Sequence, residues 1–192
     1  MKKLAISLAA AVSALTISGA AEAQQNAGIL IVDTDRILNE CTACKAAAAQ
    51  LQSQVQQGRQ RAQQLEATLK PEAEALEKAV QALGSKQPDA ALQARIAAFR
   101  QKQQQGSTEL STRESSIQST QAHVQQQIGS KVVQVVEQSR ARRQATVVLS
   151  KSSTLASANT IDITGEVLAA LNQQLPSVSV TPMPQQSRPQ GR

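Results

Sequence analysis

The most reactive pair of side chains in this sequence is Cys41-Thr42-Ala43-Cys44, a C-x-x-C spacing that suits either thiol–disulfide exchange or a short structural bridge. No thioredoxin-like βαβ pattern surrounds the pair. It falls where a short helix meets a long one, so a structural disulfide stapling that turn is the preferred reading and redox catalysis the alternative. A zinc site would need further ligands, and His123 lies far along the chain. His123 itself has no carboxylate or Cys partner near it in sequence and reads as a helix-surface residue. Gly-rich phosphate loops, a G-x-S-x-G elbow and an H-E-x-x-H pair are absent. The residues therefore suggest neither an enzyme nor a cofactor-dependent protein, and no metal site.

Asp33-Thr34-Asp35 follows an apolar run, the position of the aspartate nucleophile in some phosphatases. Ile37 stands where those sites want Thr or Val, and no doubly wound sheet follows. Capping of a short helix by Asp33 or Thr34 explains the same residues. The run before it, Ile29-Leu30-Ile31-Val32, is β-branched and apolar on both faces, as a buried strand requires. From Lys45 the composition turns to Ala, Gln, Lys, Arg and Glu, which favours helix. Counting in sevens gives Leu51, Gly58, Leu65, Glu72 and Ala79, with the companion series Val55, Ala62, Leu69, Leu76 and Leu83. That is a heptad seam. Gly84 to Asp89 interrupts it with turn residues, and Asp89 is placed to cap the next helix. The return arm carries Ile96, Gln103, Leu110, Ile117 and Val124 beside Leu92, Phe99, Gly106, Arg113 and Thr120. Two such arms joined by a short turn predict an antiparallel helical hairpin, with a kink near Leu69 caused by Pro71. Ala145 to Leu149 reads as a second strand and Leu155-Ala156 as a short edge strand. A last helix has Ile163, Val167, Leu168 and Leu171 on one face and Asp162 or Thr164 as its cap.

Lys2 and Lys3 precede an uncharged stretch ending in Ala21-Glu22-Ala23, which reads as a secretory signal cleaved after Ala23. The chain carries a net charge of +6 but has one Phe and no Trp or Tyr. Single-strand nucleic-acid binders usually stack bases on aromatic side chains, so an anionic protein or lipid surface fits that charge better. Basic residues gather towards the hairpin tip. Lys78, Lys86, Arg95, Arg100 and Lys102, with Phe99, are the candidate contacts for a bound partner, set against Glu72, Glu74, Glu77 and Asp89. The expected division is a signal peptide at 1–23, a discontinuous body from 24–44 and 145–175, a hairpin at 45–144, and a structureless Pro/Gln/Ser/Arg tail at 176–192. The fold class is α+β and predominantly helical.

Gly28-Ile29-Leu30-Ile31-Val32-Asp33, Val147-Val148-Leu149, and Ile161-Asp162-Ile163-Thr164-Gly165-Glu166-Val167-Leu168 resemble the opening strand, closing strand and closing helix of the OmpH/Skp family of periplasmic chaperones. The hairpin between them matches that family in pattern and length rather than in letters. The resemblance implies a jellyfish-like homotrimer in the periplasm, three small trimerisation bodies with their coiled-coil hairpins around a cavity. It implies an ATP-independent holdase that keeps unfolded outer-membrane β-barrel proteins from aggregating before insertion. Anionic lipid or lipopolysaccharide is a further candidate partner, and nucleic acid is not one. The competing reading is a coiled-coil envelope adaptor that binds one defined folded partner.

Overall fold

The structure, a computed structural model, describes residues 28–183, so the expected cleavage point at Ala23 and residues 24–27 of the expected body lie outside the described residues. The order is β1 (Gly28–Val32), α1 (Thr34–Glu40), α2 (Thr42–Gln81), α3 (Ala90–Arg142), β2 (Ala145–Ser150) and α4 (Thr164–Gln174). Helix dominates. β1 and β2 pair in parallel, Ile29 beside Val147 and Ile31 beside Leu149, with a register irregularity at Gly28/Ile29. The whole hairpin is thus the crossover between two neighbouring strands.

α1, α2 and α3 each begin where a side chain satisfies a free N–H group. Asp33 accepts from the Arg36 N–H at 2.9 Å and Asp89 from the Leu92 N–H at 2.8 Å. Cys41 ends α1 and caps α2, its sulfur accepting from the Cys44 N–H. α4 starts differently from expectation. Its N-cap position is Ile163, without a side-chain cap; the Thr164 hydroxyl is turned back to accept from the Asp33 N–H at 2.9 Å, while Asp162 accepts from the Thr164 N–H. The tip reverses at Gly84, whose φ of +56° is one that side-chain-bearing residues rarely adopt.

Along α2 every position of the two heptad series is at least partly buried against α3. α2 runs through Pro71 as one continuous helix. On α3 the buried residues include Leu92, Phe99, Gly106, Thr120 and Val124, whereas Gln103 faces solvent. At Gly106 the helices pack closely, a β-carbon there lying 3.4 Å from the Leu65 methyls. Gly58 leaves similar room for the stem of Arg113, whose Nε is buried without a hydrogen-bond partner among the described residues. Ion pairs clip the arms together from outside the seam, Arg61 to Glu109 at 2.8 Å and Lys102 to Glu72 at 2.8 Å.

Two apolar cores result. The distal one joins Leu76, Leu92 and Phe99. The proximal one joins Leu30, Val32 and Ile37 to Ile163, Val167 and Leu171, and it draws on the hairpin roots through Ala43, Ala47, Val124, Ile128, Val132 and Val135. The packed body therefore reaches past the boundaries expected at 44 and 145, because strands and α4 alone offer too little apolar surface to close a core. β1 is buried on both faces from Leu30 to Val32, Ile31 being 1% exposed, and is open only at Ile29, which is 48% exposed. Two further expectations fail. No strand forms at Leu155-Ala156, and Leu155 is fully exposed. The tail is not structureless from Pro176: Val178 and Val180 pack against the proximal core, apolar anchors that its polar composition conceals.

The separation of the two cores makes a testable statement. Phe99→Ala is expected to cost about 3 kcal/mol in the distal hairpin. Amide hydrogen exchange is to rise across residues 69–99 while β1 keeps its protection; equal loss of protection in β1 would show a single cooperative core.

Candidate functional site

Among the described residues no group of three or more metal-ligating side chains forms. Nor is any described helix long and apolar enough to cross a membrane. The surfaces that remain are the tip, the outer sheet face, the disulfide turn and the flank of the hairpin.

At the tip, Lys78, Lys86, Arg95 and Arg100 are exposed and make no ion pair with another described residue. Lys102 is already held by Glu72. Phe99 is mostly buried, 9% exposed, because it packs in the distal seam with Leu76 and Leu92. Its visible edge floors a cleft of about 530 Å³ walled by Val80, Pro88, Ile96 and Arg100. Of the six candidate contacts only Arg100 and the edge of Phe99 border this cleft; Lys78, Lys86 and Arg95 are exposed but do not line it.

On the body, Ile29, Val147 and Leu149 share the outer face of the two-stranded sheet and remain exposed. Leu155 stands beside them in sequence on the following loop. Cys41 and Cys44 are disulfide-bonded and buried, with Cα atoms 5.2 Å apart. Buried sulfurs at a helix cap hold a turn and offer no access to a partner thiol. Asn172 adds to that joint by accepting from the Thr42 N–H at 2.9 Å.

Electrostatics at the body fasten α4. Burial pushes the Glu166 carboxyl up, but hydrogen bonds from Arg142 at 2.9 Å and Arg143 at 3.0 Å outweigh it and leave its pKa below the usual carboxylate range. Asp162 is also held low, first by hydrogen bonding from the Thr164 side chain and backbone, then by Lys151 at 3.1 Å. Beside Arg140, Glu137 is lowered in the same way.

The flank of the hairpin was hidden from sequence reasoning. Residues 176–183 run back along it, and their main chain is hydrogen-bonded by Gln54, Ser119, His123 and Gln127. His123, read from sequence as an idle surface residue, contacts the Thr181 carbonyl at 3.0 Å. One signal was present: the strict alternation Ser177-Val178-Ser179-Val180-Thr181.

Comparison with known proteins follows from this geometry. A family model described as outer membrane protein (OmpH-like) matches residues 28–171. The fold is similar to a crystal structure assigned as an outer membrane chaperone (OmpH-like) from Caulobacter crescentus CB15. The TM-score is 0.67 at 20% sequence identity, over 81% of this chain and 89% of that one. No curated protein matches.

Because Asp162, just before α4, and Glu166 within it titrate low in the folded chain, their contribution is complete above the ordinary carboxylate range and is lost as pH falls through the lowered folded values. Denaturant melts are therefore expected to be level near neutrality and to weaken below about pH 4. Asp162→Ala is expected to cost about 1 kcal/mol at pH 7 and to flatten that acid decline; an unchanged acid slope would remove Asp162 from it.

Proposed function

The chain belongs to the OmpH-like family of outer membrane proteins, and on that premise we propose that it is a periplasmic, ATP-independent holding chaperone for unfolded outer-membrane β-barrel proteins. Family membership supports a chaperone role. The observation that carries the finer reading is the shape: a small body bearing a long two-helix arm whose concave surfaces are clefts along its length. Such an arm offers many weak contacts. The apolar cleft beside Phe99 takes a client's apolar side chains, and Lys78, Lys86, Arg95 and Arg100 take its acidic segments or anionic lipid. Several weak contacts at once give affinity without any tight site. The sequence has no nucleotide-binding motif, so release is driven by the client's own folding into the membrane.

The body supplies the reason for assembly. A two-stranded sheet with an apolar outer face is not self-sufficient in water. Ile29, Val147 and Leu149 are covered if three copies join sheet to sheet, which hangs three arms around a shared cavity.

The mature protein at stoichiometric amounts is expected to suppress aggregation of a urea-diluted outer-membrane barrel; undiminished light scattering would refute the reading. Salt is to weaken the interaction, since the tip charges are exposed. Val147→Asp places a charge on the outer sheet face, and sedimentation is expected to shift from trimer to smaller species. A Val147→Asp protein that sediments like the parent would overturn assembly through that face.

A further inference from the structure

Residues 176–183 are held in a way that suits many sequences. Gln127 grips Ser179 with both ends of its amide, accepting from the Ser179 N–H at 2.9 Å and donating to the Ser179 carbonyl at 3.0 Å. Gln54 donates to the Val180 carbonyl at 3.2 Å, the His123 Nδ1–H to the Thr181 carbonyl at 3.0 Å, and the Met183 N–H to Ser119 Oγ at 3.2 Å. All of these bonds go to main-chain groups. Side chains are sorted only by polarity: Val178 and Val180 turn to the proximal core, while the Ser179 and Thr181 hydroxyls meet each other at 2.8 Å.

The spacing explains why an extended chain fits. Gln127, His123 and Ser119 lie four residues apart on one face of α3, and they bind Ser179, Thr181 and Met183, which lie two apart. Four helical residues rise about 6 Å. Two strand residues rise about 6.6 Å. The two periods therefore stay in step over three rungs. The same line continues up α3 as Ser115 and Ser111, which with Ser119 and Met183 border a cleft of about 450 Å³. A second cleft of about 580 Å³ lies between Gln54, Gln57, Ile117 and Thr120 beside Val180.

We propose that this face of the hairpin, with Gln54, Ser119, His123 and Gln127 as its ladder, is a binding groove for extended segments of alternating apolar and polar residues, and that residues 176–183 are a tethered competitor occupying it. Barrel strands of outer-membrane proteins carry that alternation, and main-chain reading with alternate apolar pockets is how extended peptides are bound without strict sequence demand. The occupant named here rests on the chaperone reading; the groove itself does not. Tethering makes the tail a strong competitor, because its effective concentration is on the order of millimolar. A client segment enters by displacing it.

The test uses a fluorescein-labelled peptide of residues 176–183, read by anisotropy against three proteins: the full chain, a chain ending at Leu175, and full-length Ser179→Pro, which loses the Ser179 N–H but leaves the groove intact. Far-UV circular dichroism checks folding, and Ser179→Pro carries the test if the shortened chain loses helicity. The peptide is expected to bind the shortened chain and Ser179→Pro about tenfold or more tightly than the full chain. Gln127→Ala in the shortened chain is to abolish that gain, and an unfolded outer-membrane barrel is to displace the peptide. Absence of peptide binding to both displaced-tail proteins, with aggregation still suppressed, overturns the groove while the chaperone reading stands. Peptide binding that no unfolded barrel displaces, with aggregation unchecked, overturns the chaperone reading and the proposed occupant with it.

Discussion

The parallel pairing of β1 with β2 is the constraint on which the molecule depends. These strands are neighbours in space, yet α1, α2 and α3 lie between them in the chain. Closing so long an excursion is entropically costly, and a five-residue ladder does not offset it alone. The remaining stabilisation comes from apolar surface gathered around the ladder's inner face. Val124, Ile128, Val132 and Val135 on α3 meet Ala43 and Ala47 on α2 and Val167 and Leu171 on α4. The Ile163 N–H donates to the Ile31 carbonyl at 2.9 Å, which ties the start of α4 to the end of β1. Once the roots are clamped, the hairpin has only one direction in which to grow.

The arm obeys different physics from the body. Its seam is thin, interrupted by Gly58, Gly106 and Arg113, and supplemented by exposed ion pairs that are each worth little. Local stability should therefore fall from root to mid-arm, with the Leu76, Leu92 and Phe99 cluster as a second anchor near the tip. An arm built this way adapts to what lies against it, whereas a fully packed coiled coil would not. The clefts that open along it follow from the same small and polar seam residues.

Much of this was legible in the residues. A period of 3.5 leaves a plain mark, so the α2 seam emerges from counting alone, and Asp33 and Asp89 announce the helix starts they cap. What escaped was decided by tertiary context. Nothing in the letters around Phe99 tells that its ring packs with Leu76 and Leu92. Leu155-Ala156 has strand-like letters but no neighbour to pair with. The composition of the tail conceals its docking, although Val178 and Val180 alternate with hydroxyl residues as a strand would, and its partners, Gln54 and Gln127, are indistinguishable in sequence from the many other glutamines of the arms. Main-chain recognition leaves no motif.

The arm standing away from its body is the feature that every functional statement needs, and small-angle X-ray scattering of the purified protein measures it directly. With α3 as the longest element, pair distances are expected to extend in a long tail to on the order of 80 Å or beyond. A bell-shaped distribution of a compact globule, with no such tail, would contradict it.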